Sequence, residues 1–397
     1  MVDSPVQVLL IGGGHAMLPT LVAAAAWRDD GLAVTLVNDH RYLYYSGMVP
    51  EFLGGVYRED EVRIDLADLC RRQGIAFVEA AATRLDSAQR IVYTADGTPL
   101  PYDLAAFDIG ARNPGVADGA IRTKPLHHVT RLGALLADLE AGRRSSLRLL
   151  IAGGGAAGVE VALNLSARFA GPDRPPLHLT VVEATDRLLP SFPETMSSYA
   201  TDVLRHRGVT VLPDERIVNL TPGEAVLERR GPIPVDAALW ATGTVGPALF
   251  RETGLPCDPR GFLRVRPTLQ SPADPRLFAA GDCAVLQGYE HLPRVGVHAV
   301  KQGPTLRDNL YRTARLLQRG RPLAGDALTP FRPYPAAPLI LSTGAPTALW
   351  ISGSVWLHGR PFLRLKHLLD RRWIRRYNPA AWGETPLWRM ADAAAAG

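Results

Sequence analysis

Three glycine turns and a few acids have the types and spacing to do chemistry. Gly153, Gly155 and Gly158 in AGGGAAG complete a G-x-G-x-x-G run. Such a run lets backbone approach a pyrophosphate at the positive end of the following helix. Glu183 ends the next apolar stretch, LHLTVVE. A carboxylate there accepts from ribose hydroxyls and repels a 2′-phosphate, which favours NADH over NADPH. Arg187 is the nearby residue that could hold such a phosphate instead. Gly12 and Gly14 in IGGGHAM form a second, incomplete run, with Met17 where the third glycine is expected. Asn38 and its neighbour Asp39 stand at the matching ribose position. The third turn, Gly281-Asp282, closes the apolar LFAA. An acid there, ahead of a helix, suits a flavin's ribityl chain, and the helix start suits the flavin's C2 carbonyl.

The elements that position these residues repeat. VLLIGGGHAM is echoed by RLLIAGGGAAG, LAVTLVNDHR by LHLTVVEATDR, and YDLAAFDIG by VDAALWATG. Each half reads as strand, glycine turn, helix, strand, a long excursion, and a strand ending in glycine. That alternation predicts α/β architecture with two Rossmann-like dinucleotide-binding domains on parallel sheets. We expect one domain over 1–112 and 255–325, a second over 113–254, and a small C-terminal α+β module over 326–397. That module should hold two strands, in PLILSTG and TALWISGS, then a basic helix and an Ala-rich tail.

Composition sets the bounds. The chain has 397 residues, 47% hydrophobic and 21% charged, with a net charge of +5. This is ordinary globular composition with room for two or three cores. No recognised nucleic-acid module accompanies the charge, so nucleic acid is not expected as a partner. Cys70, Cys257 and Cys283 are far apart, which suggests neither a metal site nor a dithiol centre. No signal peptide or spanning segment is visible, so a cytoplasmic location is expected.

RYLYYSGMVPEFLGG follows the second strand, where one large group of flavoproteins holds a redox-active cysteine pair; here there is no cysteine. Tyr45, Ser46, Gly47 and Met48 are expected to form a flavin-packing wall instead. Electrons would then leave the flavin directly to a bound acceptor.

GGGHAM, YYSGMVPEFLGGVY, EVRIDLADLC, YDLAAFDIG, AGGGAAGVEVA, WATG, FAAGDCA, VKQGPTLRDNL, LILSTG and LKHLLDRRW carry a resemblance over nearly the whole chain. The sequence resembles flavoproteins of the pyridine nucleotide-disulfide oxidoreductase superfamily, with FAD on the first domain and NAD(P)H on the second. It looks closer to the NADH dehydrogenase-like flavoproteins found alone or fused ahead of selenide, water dikinase. Type II NADH dehydrogenases and sulfide:quinone oxidoreductases are more distant. The resemblance implies FAD at Gly12, Gly14, His15, Asn38 or Asp39, Gly110, Gly281 and Asp282. It implies NADH at Gly153, Gly155, Gly158, Glu183 and Gly243. In type II NADH dehydrogenases the glutamate matching Glu160 lies near the nicotinamide–flavin junction; the plainer alternative is a helix-start acid favoured by the dipole.

Lys301, in HAVKQG, is one of three lysines in the chain and is expected to stabilise reduced flavin from the start of its helix. The A-Q-x-x-x-Q pattern that helps line the quinone site of type II NADH dehydrogenases falls on Gly296, Val297 and Lys301, so both glutamines are missing. The expected function is therefore an FAD-dependent oxidoreductase that takes hydride from NADH and serves a small-molecule acceptor. A peripheral-membrane NADH:quinone oxidoreductase is the alternative enzyme. A slowly turning-over flavoprotein that signals to a partner is the alternative of another class.

RPFLRLKHLLDRRWIRRY reads as a basic amphipathic helix, with Phe362, Leu365, Leu369 and Trp373 near one face and Leu368 and Tyr377 beside them. Such a helix either lies on anionic lipid at the inner face of a membrane through 361–377, or packs its apolar face on the first domain or on a second subunit of a homodimer.

Overall fold

The computed structural model describes residues 4–323, 328–334, 338–344 and 346–383. The Ala-rich tail lies outside these residues.

VQVLLI (Val6–Ile11) and LRLLIA (Leu147–Ala152) each run almost wholly apolar because each is a central strand of a parallel sheet, covered on both faces. Around the first, the order is Leu277–Ala279, Leu104–Phe107, Val6–Ile11, Leu32–Asn38, Ala76–Glu79. Around the second it is Ile121–Arg122, Ala237–Trp240, Leu147–Ala152, Leu177–Val182, Thr210–Leu212. The registers correspond: Val6 faces Leu32 and Ile11 faces Val37, as Leu147 faces Leu177 and Ala152 faces Val182. The sheets are the cores of two Rossmann-like domains. In each, the long excursion is a three-stranded antiparallel sheet, 82–101 in the first half and 217–234 in the second.

Phe278 and Ala279 pair with Ala106 and Phe107, so the strand before Gly281-Asp282 returns to the first sheet. The helix after it, Gly296–Gln318, lies against the helix Leu18–Asp29, and the Tyr311 hydroxyl donates to Asp30 at 2.7 Å. The last module has three antiparallel strands, Leu339–Ser342, Ala348–Ser352 and Val355–Gly359, followed by the helix Arg360–Ile374. The third strand, VWLHG, was not expected. Two residues, Gly353 and Ser354, make its tight turn, with Gly353 at φ +60°.

The C-terminal helix splits the face expected of it, with Trp373 and Tyr377 packed and the leucines turned outward. Lys366, Asp370 and Ile374 point inward and are buried. Leu368 and Leu369 are more than half exposed, and Leu365 is also on the surface. Packing of an apolar leucine face on the first domain is thus corrected: the polar stripe packs, because carboxylates and carbonyls of the protein await it there.

Candidate active site

The carboxyl ends of both sheets carry the glycine turns, where ligands of open α/β sheets bind. In the second half, Glu183 accepts from Gly154 N at 2.7 Å and from Thr185 N and Oγ1 at 2.8 and 2.9 Å. One acid therefore pins both the glycine loop and the turn after its own strand. A Cβ on Gly158 would stand 2.0 Å from Gly153 O, so only glycine lets the helix Ala156–Arg168 start this close to the strand. Gly155 and Gly243 face open space. The Arg187 guanidinium donates to the carbonyls of Leu189, Pro190 and Phe192 at 2.9–3.1 Å, so backbone already occupies it.

The first half is built differently. Asn38 Oδ1 accepts from Gly13 N at 2.8 Å and its amide donates to His40 O, so Asn38 holds the loop while Asp39 stays exposed. Met17 is fully buried and precedes a helix that begins at Leu18, three places later than its counterpart relative to the glycines. Asp108, which sequence reading missed, explains the difference. Its Oδ2 accepts from Ala16 N at 2.7 Å and Met17 N at 3.1 Å. A Cβ on Gly14 would fall 2.3 Å from the Asp108 carboxyl carbon, so glycine at 14 makes room for this acid. Burial raises Asp108 to about 7 against the pull of those two N–H groups.

Asp282 is paired with Lys124, from the KPL turn. Gln302 braces the preceding residue, accepting from Gly281 N at 2.7 Å. Gly110 has φ +65° beside open space. Ser46 Oγ would lie 2.8 Å from a Cβ on Gly296, which puts the hydroxyl at the start of the Gly296–Gln318 helix. Lys301 lies elsewhere: it is exposed, with its ammonium 5.3 Å from the Tyr334 ring centre. The lysine beside Asp282 is Lys124.

Tyr45, Trp373 and His15 form a cluster of aromatic rings packed on one another. Tyr45 and Trp373 stack at 4.2 Å, and His15 lies 5.4 Å from Trp373 and 5.6 Å from Tyr45. Burial lowers His15 to about 4, against the raising effect of Asp282, so the ring is neutral. Met48 and Gly47 sit beneath: Met48 is fully buried, and Gly47 O accepts from Lys366.

Behind these rings is a buried ionic cluster. Lys366 donates to Asp370 at 2.8 Å and stands 2.9 Å from Glu51. Burial would discharge Lys366, but Asp370, Glu160 and Glu51 outweigh it and hold it charged. Burial also pushes Glu51 up, yet His367 and Lys366 overcome it and keep Glu51 ionised. Burial raises Glu160 to about 8, against Lys366 and the Ser342 N–H that donates to it at 2.8 Å, so Glu160 carries its proton at neutral pH. Sequence reading found Glu160 and missed Glu51, Lys366, His367 and Asp370. The i,i+4 spacing of Lys366 and Asp370 was the available signal.

Each cradle keeps one buried polar atom without a hydrogen-bond partner among the described residues, His15 Nε2 and Thr242 Oγ1. With the open ground at Gly110, Gly155 and Gly243, these residues fit a dinucleotide in each half. Cys70, Cys257 and Cys283 are all free. Burial raises all three thiols, Cys70 to about 12, so none has the character of a redox-active thiolate. No group of His, Cys, Asp and Glu suited to a metal occurs among the described residues.

The sequence profile of the family described as "Pyridine nucleotide-disulphide oxidoreductase" matches residues 6–303. Demethylphylloquinone reductase NdbB of Synechocystis is 26% identical over 299 residues, covering 72% of this chain and 73% of that protein. A type II NADH:quinone oxidoreductase of Haemophilus influenzae is 26% identical over 327 residues, covering 70% and 74%. The structure of NDH2 from Plasmodium falciparum in complex with NADH superposes with a TM-score of 0.75 at 12% identity, over 94% of this chain and 95% of that one, a likeness of fold. The expected kinship to flavoproteins fused to selenide, water dikinase finds no support in these comparisons. Family and fold imply FAD and NAD(H) as cofactors. The protein belongs to the pyridine nucleotide-disulphide oxidoreductase family, as an NADH dehydrogenase-like oxidoreductase in which no cysteine pair stands by to take electrons from the flavin.

Proposed function

We propose that the protein is an NADH:quinone oxidoreductase working at a membrane surface. The observation that carries this reading is the Tyr45–Trp373–His15 ring cluster backed by the Glu160, Lys366 and Asp370 cluster. A planar, apolar acceptor that becomes a quinol needs flat aromatic walls and a proton donor beside them. Quinone as acceptor in both curated relatives supports the same reading. The glutamines absent at Val297 and Lys301 argued against quinone, but aromatic side chains from three other segments supply flat faces here.

We assign residues 1–112 and 255–325 to FAD, 113–254 to NADH, and 326–397 to the module that closes the acceptor side. FAD, when bound, supplies a carrier that accepts hydride from NADH and passes two electrons on. Gly12, Gly14 and Asn38 would shape its phosphate turn, and Asp282, held by Lys124, would accept from its ribityl chain. Glu183 holds the NADH ribose. The engagement of Arg187 by three carbonyls supports NADH over NADPH. Lys124 takes the place beside the flavin that Lys301 was expected to fill.

No helix among the described residues is long and apolar enough to cross a membrane. Exposed Leu365, Leu368 and Leu369 lie among Arg364, Arg371, Arg372 and Arg375, with Val355 and Leu357 exposed on the strand before the helix. That surface suits an anionic bilayer holding the quinone.

Trp373→Ala tests the ring cluster. We expect KM for a short-chain quinone to rise about 10-fold, from a lost stacking face worth roughly 1 kcal/mol or more. The rate of NADH oxidation by ferricyanide should be unchanged. Equal losses with both acceptors would remove the ring cluster from the quinone site.

A further inference from the structure

We propose that Asn113 is a positioning residue that holds Lys124 on Asp282, so that the cation beside the flavin is set in place by the loop that binds NADH. This inference rests on the FAD assignment made for Asp282 above and is independent of the acceptor. Hydride carries two electrons and one proton, so as NADH becomes NAD⁺ the flavin gains one negative charge. A lone carboxylate beside that charge would oppose reduction, and an ammonium held on the carboxylate cancels the opposition.

Asn113 is buried where the chain leaves the first sheet for the second half. Its amide donates to Thr242 O at 3.0 Å, on the WATG loop. Its Oδ1 accepts from Lys124 N at 3.0 Å and from Thr123 Oγ1 at 3.3 Å. Thr123 in turn donates to Trp240 O, from N at 3.2 Å and from Oγ1 at 2.9 Å. The backbone at 123–124 is thereby fixed to the end of the strand Ala237–Trp240. From there the Lys124 side chain crosses to Asp282 in the first half. Four residues past Thr123, the His127 ring stacks on His40 at 4.5 Å. Residues 123–128 thus touch the first half beside its ribityl acid and again beside its Asn38 ribose position.

The chemistry of the bracket calls for an amide. Turned over, Asn113 would set N–H against Lys124 N–H and carbonyl against Thr242 carbonyl. The other basic groups near Asp282 are engaged or uncharged. The Arg294 guanidinium lies 3.4 Å over the Phe262 ring, with Asp258 at 3.8 Å. Burial lowers His298, which leaves its ring neutral at neutral pH. Lys124 is the cation in contact with Asp282, and the charges of this pair reach both His15 and Asp108, the buried groups of the first cradle. One side chain on the NADH loop therefore decides where the charge beside the flavin stands.

The test is the flavin midpoint potential of the purified holoenzyme, read by equilibration with a dye of known potential and without NADH. Lys124→Met should lower the equilibrium constant for reduction by about 10-fold, which is about 30 mV for a two-electron couple. Asn113→Ala should lower it in the same direction. Added to Lys124→Met, Asn113→Ala should cost nothing further, because it acts through the lysine. An unchanged potential in either single variant, or two losses that simply add, would overturn the proposal. A variant that sheds its FAD is replaced by two milder ones. Lys124→Arg keeps the charge and should hold the constant within about 2-fold. Thr123→Val removes the hydroxyl bond to Trp240 O and should lower it. A 10-fold drop in the first or no drop in the second is the contrary result. An unaltered protein without bound flavin would sink the FAD assignment, whereas bound flavin indifferent to Lys124 and Asn113 sinks this proposal alone.

Discussion

Asp108 does the work at the first glycine loop that the missing third glycine does at the second. It caps the Ala16 and Met17 N–H groups, and Gly14 gives it space. The acid is held near 7 in the fold against 3.8 for an ordinary aspartate. The fold therefore keeps its proton over a range where the unfolded chain has lost it. Stability should fall as pH rises from about 4 to about 7, by on the order of 2–4 kcal/mol. Asp108→Asn should flatten that fall, read as Tm across pH. A second residue-scale prediction concerns cofactor choice. Because Arg187 is spent on carbonyls, Arg187→Ala should leave the ratio of kcat/KM for NADH and NADPH within about 2-fold. Glu183→Ala should raise KM for NADH by about 10-fold and lower kcat less, since Glu183 holds the loop and the ribose contact proposed for it would act in ground and transition states alike.

Elements were legible where apolar periodicity decides them and illegible where charge does. The central strands, both glycine turns and the helix after Gly281-Asp282 follow from buried apolar runs and turn residues. The helix Arg360–Ile374 does not. Its leucines mark the apolar face, but Lys366 and Asp370 are drawn inward by Glu51 and Gly47 O, partners more than 300 residues away. No local pattern announces such a partner. Lys301 illustrates the same limit: position in the motif suggested a flavin contact, while one residue along the helix Gln302 turns inward and Lys301 turns out. At this scale the exposed leucines make the prediction. Leu368→Glu with Leu369→Glu should abolish flotation with anionic liposomes and leave Tm and ferricyanide turnover unchanged, because neither side chain contributes much burial. Retained flotation would assign membrane contact to another surface.

At the scale of the whole molecule, two copies of one βαβ plan have diverged by function. Both halves keep open ground, at Gly110 in the first and at Gly155 and Gly243 in the second. Asp108, Asn38 and Gln302 brace the first, and Glu183 alone braces the second loop and the turn after its own strand. The C-terminal module adds Trp373 and the buried lysine, and the segment that lacks the cysteine pair adds Tyr45 and Glu51. RYLYYSGMVPEFLGG packs against the C-terminal helix, with Tyr45 stacked on Trp373 and Gly47 O accepting from Lys366. The most direct test follows the flavin itself. The purified protein, held without oxygen, should lose its visible flavin absorption on adding NADH and regain it within a turnover on adding a short-chain quinone. No bound flavin, no bleaching by NADH, or bleached flavin that quinone fails to reoxidise would contradict the account.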